Sequence, residues 1–201
     1  MRKKTVDATY YGTSVPTTHT PKYKVAADAW LVTPTGLAQL WHSKQNRPKH
    51  FTIIGAGKTA MDVGVWLINS GALPESISWV MPRDSWQVNR LTTQPGMEFF
   101  GHAIGGPANQ MEAFANATSL GDLFKRLEAC EAMLRIDLDH QPSMFHYATM
   151  SMGEIEILRK IKNVIRLGHV HAVGRDALQL AQGSAALGPD TVCIDCTASA
   201  V

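Results

Sequence analysis

Phe51-Thr-Ile-Ile-Gly55-Ala-Gly57-Lys-Thr-Ala60-Met-Asp62 starts as a short apolar run, breaks on glycine and resumes with residues that favour a helix. Four apolar or β-branched residues before a glycine predict a buried strand over 51–54. A helix is expected from about Lys58 to Ser70, with Gly71 as its C-cap and Pro74 ending the loop. Each residue of the corner has a physical reason. Gly55 permits the tight turn out of the strand, and Gly57 lets a pyrophosphate approach the backbone. Ala60 stands where a small residue lets the helix pack close to the strand. Free N–H groups at the helix start, aided by the helix dipole, face an anion. The phosphate-binding candidates are therefore Gly55, Ala56, Gly57, Lys58, Thr59 and Ala60. The bland alternative is a tight strand-to-helix turn with no ligand.

Working outward, Ile77-Ser-Trp79-Val-Met81 reads as a second strand, parallel to the first across a right-handed crossover. Its end sorts the dinucleotides, because an acidic residue there holds the ribose hydroxyls of NAD and an arginine accommodates the 2′-phosphate of NADP. The strand ends Met81-Pro82-Arg83-Asp84. Arg83 comes first and favours NADP; Asp84 keeps NAD open. Arg90 is a second candidate for phosphate contact. Gly57-Lys58-Thr59 resembles the end of a P-loop, but that motif needs an earlier glycine where Thr52 stands. Asp62 suits a helix start without any ligand and is read as structural.

The rest of the chain frames this unit. Residues 1–26 read as strand and connector, with strand character over Thr5–Tyr10 and extended geometry around Pro16 and Pro21. A helical pattern covers 27–45, with Thr33 or Thr35 as cap and Leu37, Leu40 and Trp41 on one face. Residues 89–160 read as a helical insertion: loops at Gly96, Gly101, Gly105 and Gly106, then helices over Met111–Ala117, Leu120–Ile136 and Glu154–Lys162. Strands are expected at Asn163–Leu167, Val170–Val173, Leu178–Leu180 and Thr191–Ile194, forming a small antiparallel meander and a final buried strand. The fold class is α/β, a Rossmann-like parallel sheet with a helical insertion and that meander.

Composition bounds the rest. In 201 residues, 45% are hydrophobic and 18% charged, ordinary for a globular chain, and the net charge of +2 argues against a nucleic-acid partner. No apolar run approaches the roughly 18 residues that span a bilayer. Arg2-Lys3-Lys4 leads into no apolar stretch, so neither a secretory signal nor a membrane partner is expected. Three cysteines, Cys130, Cys193 and Cys196, make no disulfide framework, and a reducing, cytoplasmic setting is expected. Cys193 and Cys196 lie three apart in a strand pattern, which points them to opposite faces, and they read as inert. His140, His146, His169 and His171 form no metal set with carboxylates or thiols, and no metal is assigned. The five tryptophans read as core and cleft residues.

Ile53–Asp62 together with Ile77–Trp86 resembles the second dinucleotide domain of the flavin-containing monooxygenase-like and pyridine-nucleotide-disulfide-reductase-like oxidoreductases. In that superfamily an FAD-binding domain encloses an inserted NAD(P)H domain through two linkers, often with an Ala-Thr-Gly-like stretch. Val6–Tyr10 with Val15-Pro16 and His19-Thr-Pro21 resembles the first linker, and Val192–Ala198 the second, though both lack the usual glycine. The resemblance implies a domain over 27–197, with 1–26 and 198–201 as linker pieces. It also implies a parent that binds NADPH and FAD and acts on a small-molecule substrate. No second glycine fingerprint occurs, so FAD is expected in a part of the polypeptide outside these residues, and the fragment alone is expected to be inactive. Two rivals stay open: a binding or sensing module without catalysis, and a single-domain dehydrogenase. The second should show a catalytic pair; Tyr147 and Lys160 are present at a spacing that fits no known pattern.

Overall fold

The computed structural model describes residues 4, 15, 19–43 and 48–198; the expected strand at Thr5–Tyr10, Pro16, and residues 199–201 lie outside them. In chain order the elements are β1 (Lys24–Val25), β2 (Leu31–Val32), α1 (Pro34–His42), β3 (His50–Ile54), α2 (Lys58–Asn69), β4 (Ile77–Val80) and β5 (Ser85–Asn89). Then follow α3 (Phe100–Asn116), α4 (Leu120–Ala129), β6 (Met133–Leu134), β7 (Met144–Met150) and α5 (Met152–Leu158). The chain closes with β8 (Asn163–Ile165), β9 (Val170–Val173), β10 (Ala177–Leu180), β11 (Gly183–Ala186) and β12 (Thr191–Asp195).

The centre is a five-stranded, all-parallel sheet in the order β2-β12-β3-β4-β8. Both of its faces are covered, as a parallel sheet requires. Alternation along each strand sorts the side chains. Phe51, Ile53, Ile77, Trp79, Val192 and Ile194 share one buried cluster with Leu37 of α1, Leu67 of α2 and Leu158 of α5. Ile54, Val80 and Cys193 join a second cluster with Val173, Leu178 and Leu180. That opposite face is closed by a four-stranded sheet in the order β1-β9-β10-β11. The meander expected near the C-terminus is therefore the second layer of the core, with β11 an additional strand. The expected strand at 163–167 belongs instead to the edge of the parallel sheet.

Several helix and loop expectations need correction. The first helix begins at Pro34, not residue 27, because the Thr33 hydroxyl accepts the Gly36 amide and proline fills the first turn; of residues 27–33, only Leu31–Val32 is strand and the rest is turn and coil. Around Gly101, Gly105 and Gly106 the chain is helix α3, not loop. The expected helix over Leu120–Ile136 stops at Ala129. Cys130 caps it, Glu131 takes φ +60, and Met133–Leu134 turns into β6. β6 pairs antiparallel with β5, and β7 runs parallel to β5 on its other side. The insertion thus carries a three-stranded sheet beside its helices. Helix α5, shorter than expected, opens on a capping box between Ser151 and Glu154.

Candidate dinucleotide site

The glycine corner forms where β3 meets α2. Gly55 takes φ +127, a region costly for other residues. A Cβ there would lie 2.6 Å from the Cys196 carbonyl oxygen. The turn stays tied to the sheet on both sides, the Gly55 amide donating to Val80 and the Cys196 amide to Ile54. Its own carbonyl accepts the buried Trp79 indole N–H at 2.7 Å. Gly57 contrasts with Gly55. It is the N-cap of α2 in extended conformation, and a Cβ there would meet nothing within 4 Å. One glycine is closed in by protein; the other faces open space at a helix N-terminus. Ala60 is fully buried between helix and sheet.

That open space is a cleft of about 810 Å³, within the range of small-molecule sites. Gly55 to Thr59, Val80 and Arg83 line it on the corner side. Tyr23, Ser85, His146, His169, Cys196 and Thr197 enclose the rest. These fit a dinucleotide: a bare backbone turn at a helix start for the pyrophosphate, and an exposed guanidinium to one side. Among the described residues no group of His, Cys, Asp and Glu could hold a metal ion.

The two residues at the end of β4 divide sharply. Arg83 is exposed on the cleft wall. Asp84 is turned away: both carboxylate oxygens accept from Arg166, at 2.8 and 2.9 Å, and its side chain is 11% exposed. Arg90 does not line the cleft; its guanidinium donates to Glu154 at 3.1 Å and to the Thr149 carbonyl. Lys58 sits at the cleft edge in an ion pair with Asp62 and within 4.0 Å of Glu154, so Asp62 answers a lysine as well as the helix dipole. Partial burial pushes the Glu154 carboxyl up. The Ser151 amide and hydroxyl, with the charges of Arg90 and Lys58, outweigh that and hold it below the ordinary range.

Cys193 and Cys196 are free and buried, and they fall in the two different core clusters, on opposite faces of the sheet. Burial pushes the Cys193 thiol up to about 12, and burial with the Asp195 charge pushes Cys196 higher still. Neither is poised for redox chemistry. Of the histidines, His146 and His169 reach the cleft, while His140 pairs with Asp137. Tyr147 is exposed beside Phe145, and Lys160 lies apart from the cleft-lining residues.

Several cleft residues carry no local signal. Tyr23 arrives from before β2, His146 from β7 and His169 from the loop before β9. In β7, Met144 and His146 face the cleft while Phe145 meets the Phe124 ring.

No family model matches the chain. It is 39% identical over 198 residues to uncharacterized proteins of Mycobacterium bovis and Mycobacterium tuberculosis, covering 98% of this chain and 36% of each relative. The chain thus spans little more than a third of the length of these curated relatives. Among solved structures it is similar to an L-lysine 6-monooxygenase from Pseudomonas syringae, at 13% identity and a TM-score of 0.38, over 85% of this chain and 40% of that one. That likeness is shallow, and the parallel sheet and its corner stand on the geometry above. No helix among the described residues is long and apolar enough to cross a membrane.

Proposed function

We propose that this chain is the NADPH-holding domain of a longer flavin-dependent oxidoreductase. The observation that carries the reading is the pairing of an open Gly57 corner with an exposed Arg83 in one cleft, while Asp84 is held by Arg166. The N-terminal amides of α2 bind the pyrophosphate; Arg83 pairs with the 2′-phosphate. With its carboxylate occupied, Asp84 does not compete to hold free ribose hydroxyls, so the preference is for NADPH over NADH. Relatives nearly three times as long leave room for the remainder of such an enzyme. FAD, when bound by that remainder, supplies the electron acceptor; the residues here bind and orient the donor.

Calorimetry tests this directly. NADPH should bind more tightly than NADH. Arg83→Ala should remove most of that difference, a loss of about 1.5–3 kcal/mol for a charge-assisted contact. Gly57→Ala should leave thermal stability within about 0.5 kcal/mol, because its Cβ enters open space. It should nonetheless weaken NADPH at least about tenfold by blocking the backbone approach. Equal affinity for the two dinucleotides would overturn the role of Arg83.

A further inference from the structure

The parallel sheet places β12 and β4 on opposite sides of β3 and its glycine turn. A dinucleotide whose pyrophosphate rests on that turn extends both ways. Arg83, past the end of β4, accounts for one direction. In the other, the cleft wall is made by Cys196, Thr197 and Ala198, just past β12, with Lys22 and Tyr23 facing them.

This end is built from polar groups around a buried carboxylate. Asp195, the last residue of β12, is 3% exposed. One of its oxygens accepts both the Thr197 amide at 3.1 Å and the Thr197 hydroxyl at 2.6 Å. With its proton committed to Asp195, the Thr197 oxygen presents lone pairs to its surroundings; the His19 Nε2 lies 3.4 Å from it. The Tyr23 hydroxyl is buried and makes no hydrogen bond of normal geometry. A buried hydroxyl without a well-formed hydrogen bond is costly. Burial, together with the Asp195 charge and the approach of the Tyr23 O–H to that carboxylate, raises the phenol above its ordinary range, so it stays protonated as a donor.

We propose that Tyr23 and Thr197, the latter fixed by Asp195, form the subsite for the nicotinamide carboxamide. This rests on the NADPH reading above. A carboxamide carries an acceptor oxygen and a donor NH₂. Those are the complements of the Tyr23 O–H and the Thr197 oxygen. The subsite fixes which way the nicotinamide ring faces, and it gives the dinucleotide a second anchor independent of its phosphates. Tyr23 and Thr197 are thus positioning residues for the hydride donor.

The test compares NADPH with 2′-phospho-ADP-ribose, the same molecule without nicotinamide, by calorimetry on the 201-residue chain. NADPH should bind the parent chain more tightly. Tyr23→Phe and Thr197→Val should each narrow the gap by roughly three- to tenfold, the worth of one hydrogen bond. They should do so by weakening NADPH while leaving 2′-phospho-ADP-ribose unchanged. Thr197→Ser, which keeps the hydroxyl, should restore the gap. An unchanged gap in both variants, with Arg83 still needed for both ligands, overturns the subsite and leaves the NADPH reading standing. Failure of the parent chain to bind either ligand overturns the NADPH reading itself.

Discussion

The parallel sheet and the insertion after β4 are built to different standards of enclosure. Strands β3, β4 and β12 are covered on both faces, and Ile53, Trp79, Val192 and Ile194 are fully buried. In α3, by contrast, only Ala113 is buried; Phe100, Ile104, Met111 and Phe114 stay exposed. In the first region an atom added at Gly55 or Gly64 would collide with its neighbours. The second has a side that no described residue covers. Shape is therefore enforced around the glycine corner, and tolerance to change should rise steeply with distance from it.

The hardest break is Gly55→Ala. Its Cβ meets the Cys196 backbone, which β3–β12 pairing holds in place, and its φ of +127 is strained for alanine. A loss on the order of 3–4 kcal/mol is expected in chemical denaturation. A cost below about 1 kcal/mol would show that the two strands separate easily. Next comes Gly64→Val on α2. A Cβ there stands 2.8 Å from Leu158 and 3.3 Å from Ile161, both buried under the helix. Overpacking should cost about 1–3 kcal/mol by the same measurement. The matching change on α3, Met111→Gln, should stay within about 0.5 kcal/mol, and a larger loss would reveal that the exposed side is covered in solution.

A smaller and pH-dependent effect sharpens the contrast, because Glu154 links α5 to Arg90 at the end of β5 and to Lys58 at the start of α2. Its folded carboxyl titrates below the ordinary glutamate range. Its contribution is therefore complete above about pH 4.3, the unfolded value, and fades as pH falls through the folded one. Glu154→Gln keeps a capping-box acceptor but loses the charge facing Arg90 and Lys58, and should lower stability by up to about 1 kcal/mol at neutral pH. In urea titrations from pH 7 to pH 3 the two proteins should converge at the acid end; a constant difference would deny the charge its part.

The corner was legible because its chemistry is local. Gly55, Gly57 and Ala60 serve a turn only a few residues long, and the apolar strand before them has one place to go. Residues 130–150 were misread for the opposite reason. Met133 and Leu134 fall in helical phase with Leu127, yet they pair with Val88 and Gln87, more than forty positions earlier, and no local pattern reports a partner that distant. The cleft shows the same division. Its floor was readable from 55–60. Its walls come from Tyr23, His146, His169 and Thr197, which only the finished topology brings together. The Trp79 indole bond to Gly55 lies between these cases: strand parity gives the direction of the side chain, but not the carbonyl it finds.

On the NADPH reading proposed above, the grip of Arg166 on Asp84 means that the chain carries, in silenced form, the group that would favour NADH. The acid is already at the correct end of β4, and a residue 82 positions later keeps it occupied. On that reading, preference is set by custody of a carboxylate rather than by its presence. Arg166→Gln, with Arg83 untouched, should raise NADH affinity while leaving NADPH close to its original value. A ratio of the two affinities that does not move would show that releasing Asp84 is not enough to turn it toward a ribose.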